Sequence, residues 1–189
     1  MRTFIAIDVN DEVKRISEEV IEKLMRRGFR ANWVTSENVH LTLFFLGEVH
    51  PRKVDEISEH VCKRLRGFPS FSFTVKGVHF FRKGRSPRVI WLGVEPSESL
   101  MRLYDEMRSE LSQHGFEFES SNSFIPHITI GRVKHHPQKW EKLIEDIVYT
   151  PTVVAVDNIV VYSSRLTPKG PIYKWVYKCH FEGGLTKNE

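Results

Sequence analysis

The chain has little cysteine: two among 189 residues, Cys62 and Cys179, far apart in sequence and outside any C-x-x-C pair. That spacing indicates neither a disulfide framework nor a zinc site. No apolar run is long enough to span a membrane, and the stretch Phe4-Ile5-Ala6-Ile7 near the start is too short for a signal peptide. No low-complexity linker divides the chain. These absences set the expectation of a reduced, cytoplasmic protein folded in one piece.

What is present belongs to a soluble globular protein, with 40% apolar and 28% charged residues. The net charge is +4 and the sequence pI near 9.1. A basic balance of that size is compatible with a phosphorylated or nucleic-acid partner. Nine histidines add positive charge below neutrality.

The most informative pattern occurs twice. Val39-His40-Leu41-Thr42-Leu43-Phe44-Phe45-Leu46-Gly47 and Pro126-His127-Ile128-Thr129-Ile130-Gly131 both read His, apolar, Thr, apolar. With nine His and nine Thr in the chain, chance supplies His-x-Thr roughly 0.4 times, the usual risk with short motifs. The spacing sharpens the match. The histidines, 40 and 127, are 87 residues apart, as are Gly28-Phe29 and Gly115-Phe116. This is the mark of one duplicated unit. In a strand, residues i and i+2 share a face. His40 and Thr42 therefore point one way and Leu41 and Leu43 into a core, and the second copy repeats the arrangement.

Around these strands the periodicity predicts an ordered alternation. A strand over 4–9 leads into a helix capped by Asn10 or Asp11, with Val13, Ile16, Val20, Ile21 and Leu24 inward and Gly28 as its stop. Pro51 opens a second helix, which Gly67 and Pro69 end. Strands over 71–81 and 88–94 follow, then a helix over 97–114, the second motif strand and a helix from Pro137. Strands over 153–162 and 172–180 close the fold, and the tail 183–189 is expected to fray. We read an α+β fold with two pseudo-symmetric lobes, divided roughly into 1–87 and 88–182 within one domain spanning 1–182. Each lobe offers one His-x-Thr strand, and antiparallel sheets face a central cleft. The strand pairing order is left open.

Two histidines divide general-base and general-acid work when one is neutral and the other protonated. Displacement at phosphorus needs base and acid on opposite sides of the phosphate, and a duplicated lobe supplies one histidine to each side. Thr42 and Thr129 hydroxyls are placed to donate to the non-bridging oxygens. No metal or other cofactor is called for.

The sequence resembles the two-histidine phosphoesterases, and within them the RNA 2′,3′-cyclic phosphodiesterases, formerly called 2′-5′ RNA ligases. Both motifs carry the resemblance, with Arg2-Thr3-Phe4-Ile5-Ala6-Ile7, Trp33-Val34, Phe124-Ile125-Pro126, Arg132 and Ser164-Arg165-Leu166-Thr167-Pro168-Lys169-Gly170-Pro171-Ile172-Tyr173. It implies a bilobal fold and metal-independent opening of terminal 2′,3′-cyclic phosphates to 2′-phosphates, with weak, reversible 2′-5′ joining in some members. It also implies His40 and His127 as the acid–base pair, with His127 favoured as base and His40 as acid. Thr42 and Thr129 would hold phosphate, and Arg132 would lie near it. Strict alternation puts Arg132 on the face opposite His127, so the strand must end or twist there.

Other residues carry weaker expectations. Trp33 and Phe44 are candidates for stacking on a base, although thirteen Phe and four Trp make core packing the commoner fate. Basic Arg82, Lys83, Arg85, Arg165 and Lys169 are candidates for RNA phosphates. His135-His136 reads as an exposed loop, while His50, His60, His79, His114 and His180 show no patterned partner and are taken as structural. The expected partners are RNA ends, including tRNA fragments, or nucleotides, bound by a monomer without membrane contact. Two other readings stand beside this one: a sibling enzyme acting on small nucleotides such as cyclic ADP-ribose phosphates, and a module that binds RNA ends without turnover.

Overall fold

In the computed structural model, residues 1–117, 124–168 and 170–188 are described. The elements run β1 (Arg2–Asp8), α1 (Asp11–Arg26), β2 (Arg30–Trp33), a 3₁₀ turn (Ser36–Asn38), β3 (His40–Glu48), α2 (Pro51–Leu65), β4 (Phe71–Lys83) and β5 (Ser86–Val94). Then come α3 (Glu98–Gln113), β6 (His127–His135), α4 (Trp140–Glu145), β7 (Thr152–Val156), β8 (Asn158–Thr167), β9 (Gly170–His180) and β10 (Leu185–Lys187). Helices α1 and α3 start where side chains satisfy their free N–H groups. The Asn10 carboxamide accepts from the Val13 amide at 3.0 Å, and the Ser97 hydroxyl from the Leu100 amide at 3.2 Å. Asp11 and Glu12 in the first turn of α1 and Lys23 and Arg26 in its last complement the helix dipole. Gly28, at φ 91°, takes the left-handed turn that releases the chain.

The strands form two five-stranded antiparallel sheets, ordered β10-β9-β8-β1-β3 and β2-β6-β5-β4-β7. The 87-residue offset survives in three dimensions: α1 maps onto α3 and β3 onto β6. The sheets, however, draw on both halves of the chain, because β8 returns to flank β1 and carries β9 beside it, while β2 and β4 join β5 and β6. The motif strands β3 and β6 lie against one another, so the sheets meet along them. Behind them Leu41, Ile128 and Ile130 are fully buried in one continuous core, each burial worth about 1.5–3 kcal/mol.

Three expectations are corrected. The single strand read over 153–162 divides at Asp157 into β7 and β8, which belong to different sheets. Its apolar residues suit a strand throughout, and periodicity carries no sign of a change of sheet. The tail is ordered through Asn188: β10 pairs with β9, Lys187 reaches Asp55 at 3.1 Å, and the Asn188 side chain donates to the Trp175 carbonyl at 2.7 Å. Cys62 and Cys179, expected to be reduced, form a disulfide. Packing α2 on β9 brings their Cα atoms to 4.9 Å, a proximity that 117 residues of sequence separation conceals.

Candidate active site

The two motif strands have the same burial sequence over seven residues, with histidine and threonine half-buried and the apolar residues between them buried. Both also bulge at the same place. Opposite β1, Thr42 faces Ala6 and Phe44 faces Ile5, leaving Leu43 as the extra residue. Opposite β5, Thr129 faces Trp91 and Gly131 faces Ile90, leaving Ile130 extra. A one-residue bulge reverses the alternation beyond it. Arg132, which strict alternation sends to the far face, therefore returns to the face of His127 and Thr129. Its counterpart in the first copy is Phe45, also exposed, with the Arg2 guanidinium 4.8 Å above its ring.

Each imidazole is anchored in the same way. His40 Nδ1 lies 2.7 Å from the Asn38 carbonyl, and His127 Nδ1 lies 2.8 Å from the Ile125 carbonyl, both two residues upstream. A carbonyl only accepts, so Nδ1 carries the proton and the lone pair of the neutral ring sits on Nε2. His40 Nε2 is 2.9 Å from the Thr42 hydroxyl. The His40 ring stacks on Phe4 at 4.9 Å and meets Tyr173 edge-on at 5.5 Å. His127 meets Phe81 edge-on at 4.9 Å and Trp91 at 5.7 Å. Burial in these aromatic surroundings disfavours the charged ring and pulls both histidines below their ordinary pKa.

The surroundings differ in charge. Asp8 faces His40 across the β1–β3 ladder, and its negative charge opposes the downward shift. The Tyr162 hydroxyl donates to Asp8 at 2.5 Å, and burial above all, with Asp8, pushes its phenol pKa up. At the equivalent place opposite His127 stands Gly93, and the nearby Arg132 charge pushes His127 further down. Arg132 also acts on the Tyr173 phenol, which burial raises and Arg132 and Arg2 draw back. Tyr173 and Arg132 thus bridge the surroundings of the two histidines. A cavity of about 430 Å³ opens at the start of β6, lined by His79, Trp91, Gly93 and Pro126 among others.

His40 and Thr42 stand on β3, and His127, Thr129 and Arg132 on the neighbouring β6, each set on one face of its strand. Phe44 does not join them: it is 2% exposed and stacks on Tyr104 in the core, because the bulge turns it inward. The exposed aromatic of that strand is Phe45. Trp33 is half-buried and lies over Gly131, where an added Cβ would come within 2.5 Å of the indole. It packs on the second bulge. Arg82 pairs with Glu141 at 3.1 Å and lies over Phe80 and Trp140. Lys83, Arg85 and Arg165 are exposed, and Lys169 lies outside the described residues. His60 and His114, read as unpartnered, face each other across α2 and α3. The sequence reading missed Phe4, Asp8, Tyr162 and Tyr173 as neighbours of His40, since only pairing β1 with β3 and β8, and β8 with β9, collects them.

A family model described as the 2′-5′ RNA ligase superfamily matches residues 12–167. The chain belongs to that superfamily. A Thermotoga maritima protein named RNA 2′,3′-cyclic phosphodiesterase is 66% identical over 187 residues, covering 99% of both chains. A Thermus thermophilus crystal structure superposes with a TM-score of 0.79 at 26% identity, covering 97% of this chain and 99% of that one. Escherichia coli LigT complexed with 3′-AMP superposes at 0.69 with 29% identity, covering 94% and 95%. The superfamily and the fold thus extend beyond the two motifs to nearly the whole chain.

Proposed function

We propose that this superfamily member is an RNA 2′,3′-cyclic phosphodiesterase that opens the cyclic phosphate to a 2′-phosphate with an acid–base pair of histidines. The observation that carries the reading is the pair of Nδ1-anchored imidazoles on abutting strands, each with a threonine on its face. The names of the relatives support the substrate class. In the reaction, His127 Nε2 takes a proton from water as its oxygen bonds to phosphorus. The bond from phosphorus to the 3′ oxygen breaks, and His40 Nε2 protonates that oxygen. The products are a 2′-phosphomonoester and a free 3′-hydroxyl. The asymmetry of charge supports these roles: Asp8 favours a protonated His40, and Arg132 favours a neutral His127.

Thr42, Thr129 and Arg132 would donate to the non-bridging oxygens, where they hold charge in the transition state. An RNA 5′-hydroxyl in place of water would give a 2′-5′ linkage by the same displacement, in keeping with the superfamily's description. Phe81, beside His127, is two residues from Lys83 at the tip of the β4–β5 hairpin. At about 3.3 Å per residue, Lys83 and Arg85 lie within reach of RNA backbone upstream of the reacting end, tRNA fragments included. The cavity beside Gly93 has the size of a small-ligand pocket, and LigT was crystallised with 3′-AMP. Both histidines come from one chain, so a monomer suffices.

The deciding experiment is product analysis on an oligonucleotide ending in a 2′,3′-cyclic phosphate, with EDTA present. A 2′-phosphate product is expected. Binding without turnover would leave an RNA-end binding module. Turnover confined to small cyclic nucleotides would assign the sibling activity.

A further inference from the structure

Away from the cleft, α2 and α3 run antiparallel with matched polar residues one turn apart. Glu56, His60 and Arg64 on α2 face His114, Glu110 and Glu106 at and near the end of α3. Each helix thus carries a Glu-x-x-x-His pair, a spacing that puts both side chains on one face. Glu110 Oε1 is 3.4 Å from His114 Nε2 and 3.8 Å from His60 Nδ1, and the two imidazole centroids are 4.3 Å apart. The ligand atoms of His60, Glu110 and His114 all lie within 4.8 Å of one another.

We propose that these three residues form a divalent metal site for zinc or a similar nitrogen-preferring ion. Three features point there. Glu110 Oε1 stands 3.4 and 3.8 Å from the two histidine nitrogens. These separations approach the roughly 3.3–3.5 Å between neighbouring ligands of a tetrahedral ion with bonds of about 2.0–2.1 Å. Next, two imidazoles converge on one carboxylate: as cations they would repel each other, whereas as neutral ligands they share a metal. Finally, Glu56 Oε1 lies 3.4 Å from the other nitrogen of His114, Nδ1, and is itself held by Lys53 at 3.0 Å. A carboxylate on the distal N–H of a histidine favours the tautomer that leaves Nε2 for the ion. Two nitrogens and one carboxylate form a donor set suited to zinc, nickel or copper and ill suited to magnesium or calcium. His60 is half-exposed, leaving the fourth position open to water.

The site joins parts that otherwise belong to different sheets. Helix α2 packs on β9 of the first sheet and α3 on β4 of the second. The ion is therefore a clamp across the two sheets, independent of the reading of the cleft. The test uses the full chain stripped with EDTA and titrated with zinc chloride, measuring bound zinc after dialysis and the melting temperature. One zinc ion per chain and a melting temperature that climbs with zinc are expected. His60→Ala combined with His114→Ala should lose both effects while cyclic-phosphate opening is unchanged. Glu56→Gln should weaken zinc binding by about 10–100-fold. His60→Ala alone keeps the test decisive if His114→Ala disturbs the helix end. The proposal is overturned if no zinc binds at micromolar concentration. It is equally overturned if the parent and the double variant bind zinc alike, which would place the ion elsewhere and reduce the cluster to His–Glu ion pairs.

Discussion

At the scale of the residue, the proposed chemistry rests on where the protons are. Both Nδ1 atoms donate to backbone carbonyls, so each Nε2 is left for the proposed proton transfer. His40→Ala or His127→Ala should lower turnover by about 10²–10⁴-fold, the scale of lost general acid–base catalysis. Near-parental rates in a folded variant would exclude the paired mechanism. The pH dependence follows from the same groups. Burial draws both rings below 6.5, and the base must be neutral while the acid is charged. The pH profile of kcat/KM should be a bell whose apparent values belong to the coupled pair, with its high-pH limb on the acid side of neutrality. Asp8→Asn removes a negative charge that raises His40, so the high-pH limb should move further toward acid. A limb that stays in place would show that Asp8 has no part in holding the proton.

At the scale of the element, the bulges decide what each motif strand presents. Gly131 is glycine because Trp33 occupies the space a Cβ would need, 2.5 Å from the indole. Gly131→Ala should cost about 1–3 kcal/mol by overpacking, read as a lower urea midpoint. It should lower kcat/KM as well, because the bulge aims Arg132. A variant as stable and as active as the parent would show the bulge to be tolerant. The β4–β5 hairpin makes a different prediction. Lys83→Ala with Arg85→Ala should flatten the salt dependence of oligonucleotide binding and leave the maximal rate nearly unchanged, because phosphate contacts hold ground and transition states alike. Arg82 is omitted from that pair, since Glu141 and Trp140 already engage it. An unchanged salt slope would make the hairpin tip a solvated surface.

At the scale of the whole molecule, the Cys62–Cys179 bond staples α2, from the first third of the chain, to β9 near its end. Closing a loop of 117 residues restricts the unfolded chain, a contribution of about 5 kcal/mol from loop-closure entropy. Reducing agent, or Cys62→Ser, should lower the melting temperature without changing the rate of cyclic-phosphate opening at ordinary temperature. A melting curve indifferent to reductant would remove the staple from the account of stability. The bond also marks how the halves interlock, since β8 and β9 complete a sheet that β1 and β3 begin.

The sequence by itself determined the duplicated unit, the two His-x-Thr strands and most helix boundaries, because local periodicity, caps and a repeated spacing record those directly. The family resemblance added the expectation that Arg132 breaks the alternation. What only the tertiary structure decided depends on contacts between distant segments. Phe44 and Phe45 exchange roles because of a bulge opposite β1, which no property of either residue announces. Asp8 and Tyr162 come beside His40 only when β1 lies between β3 and β8. His60 and His114 meet because two helices with unrelated numbering pack antiparallel, and Cys62 finds Cys179 for the same kind of reason. A side chain's face is set by its own strand or helix; its neighbours are set by which elements pack together.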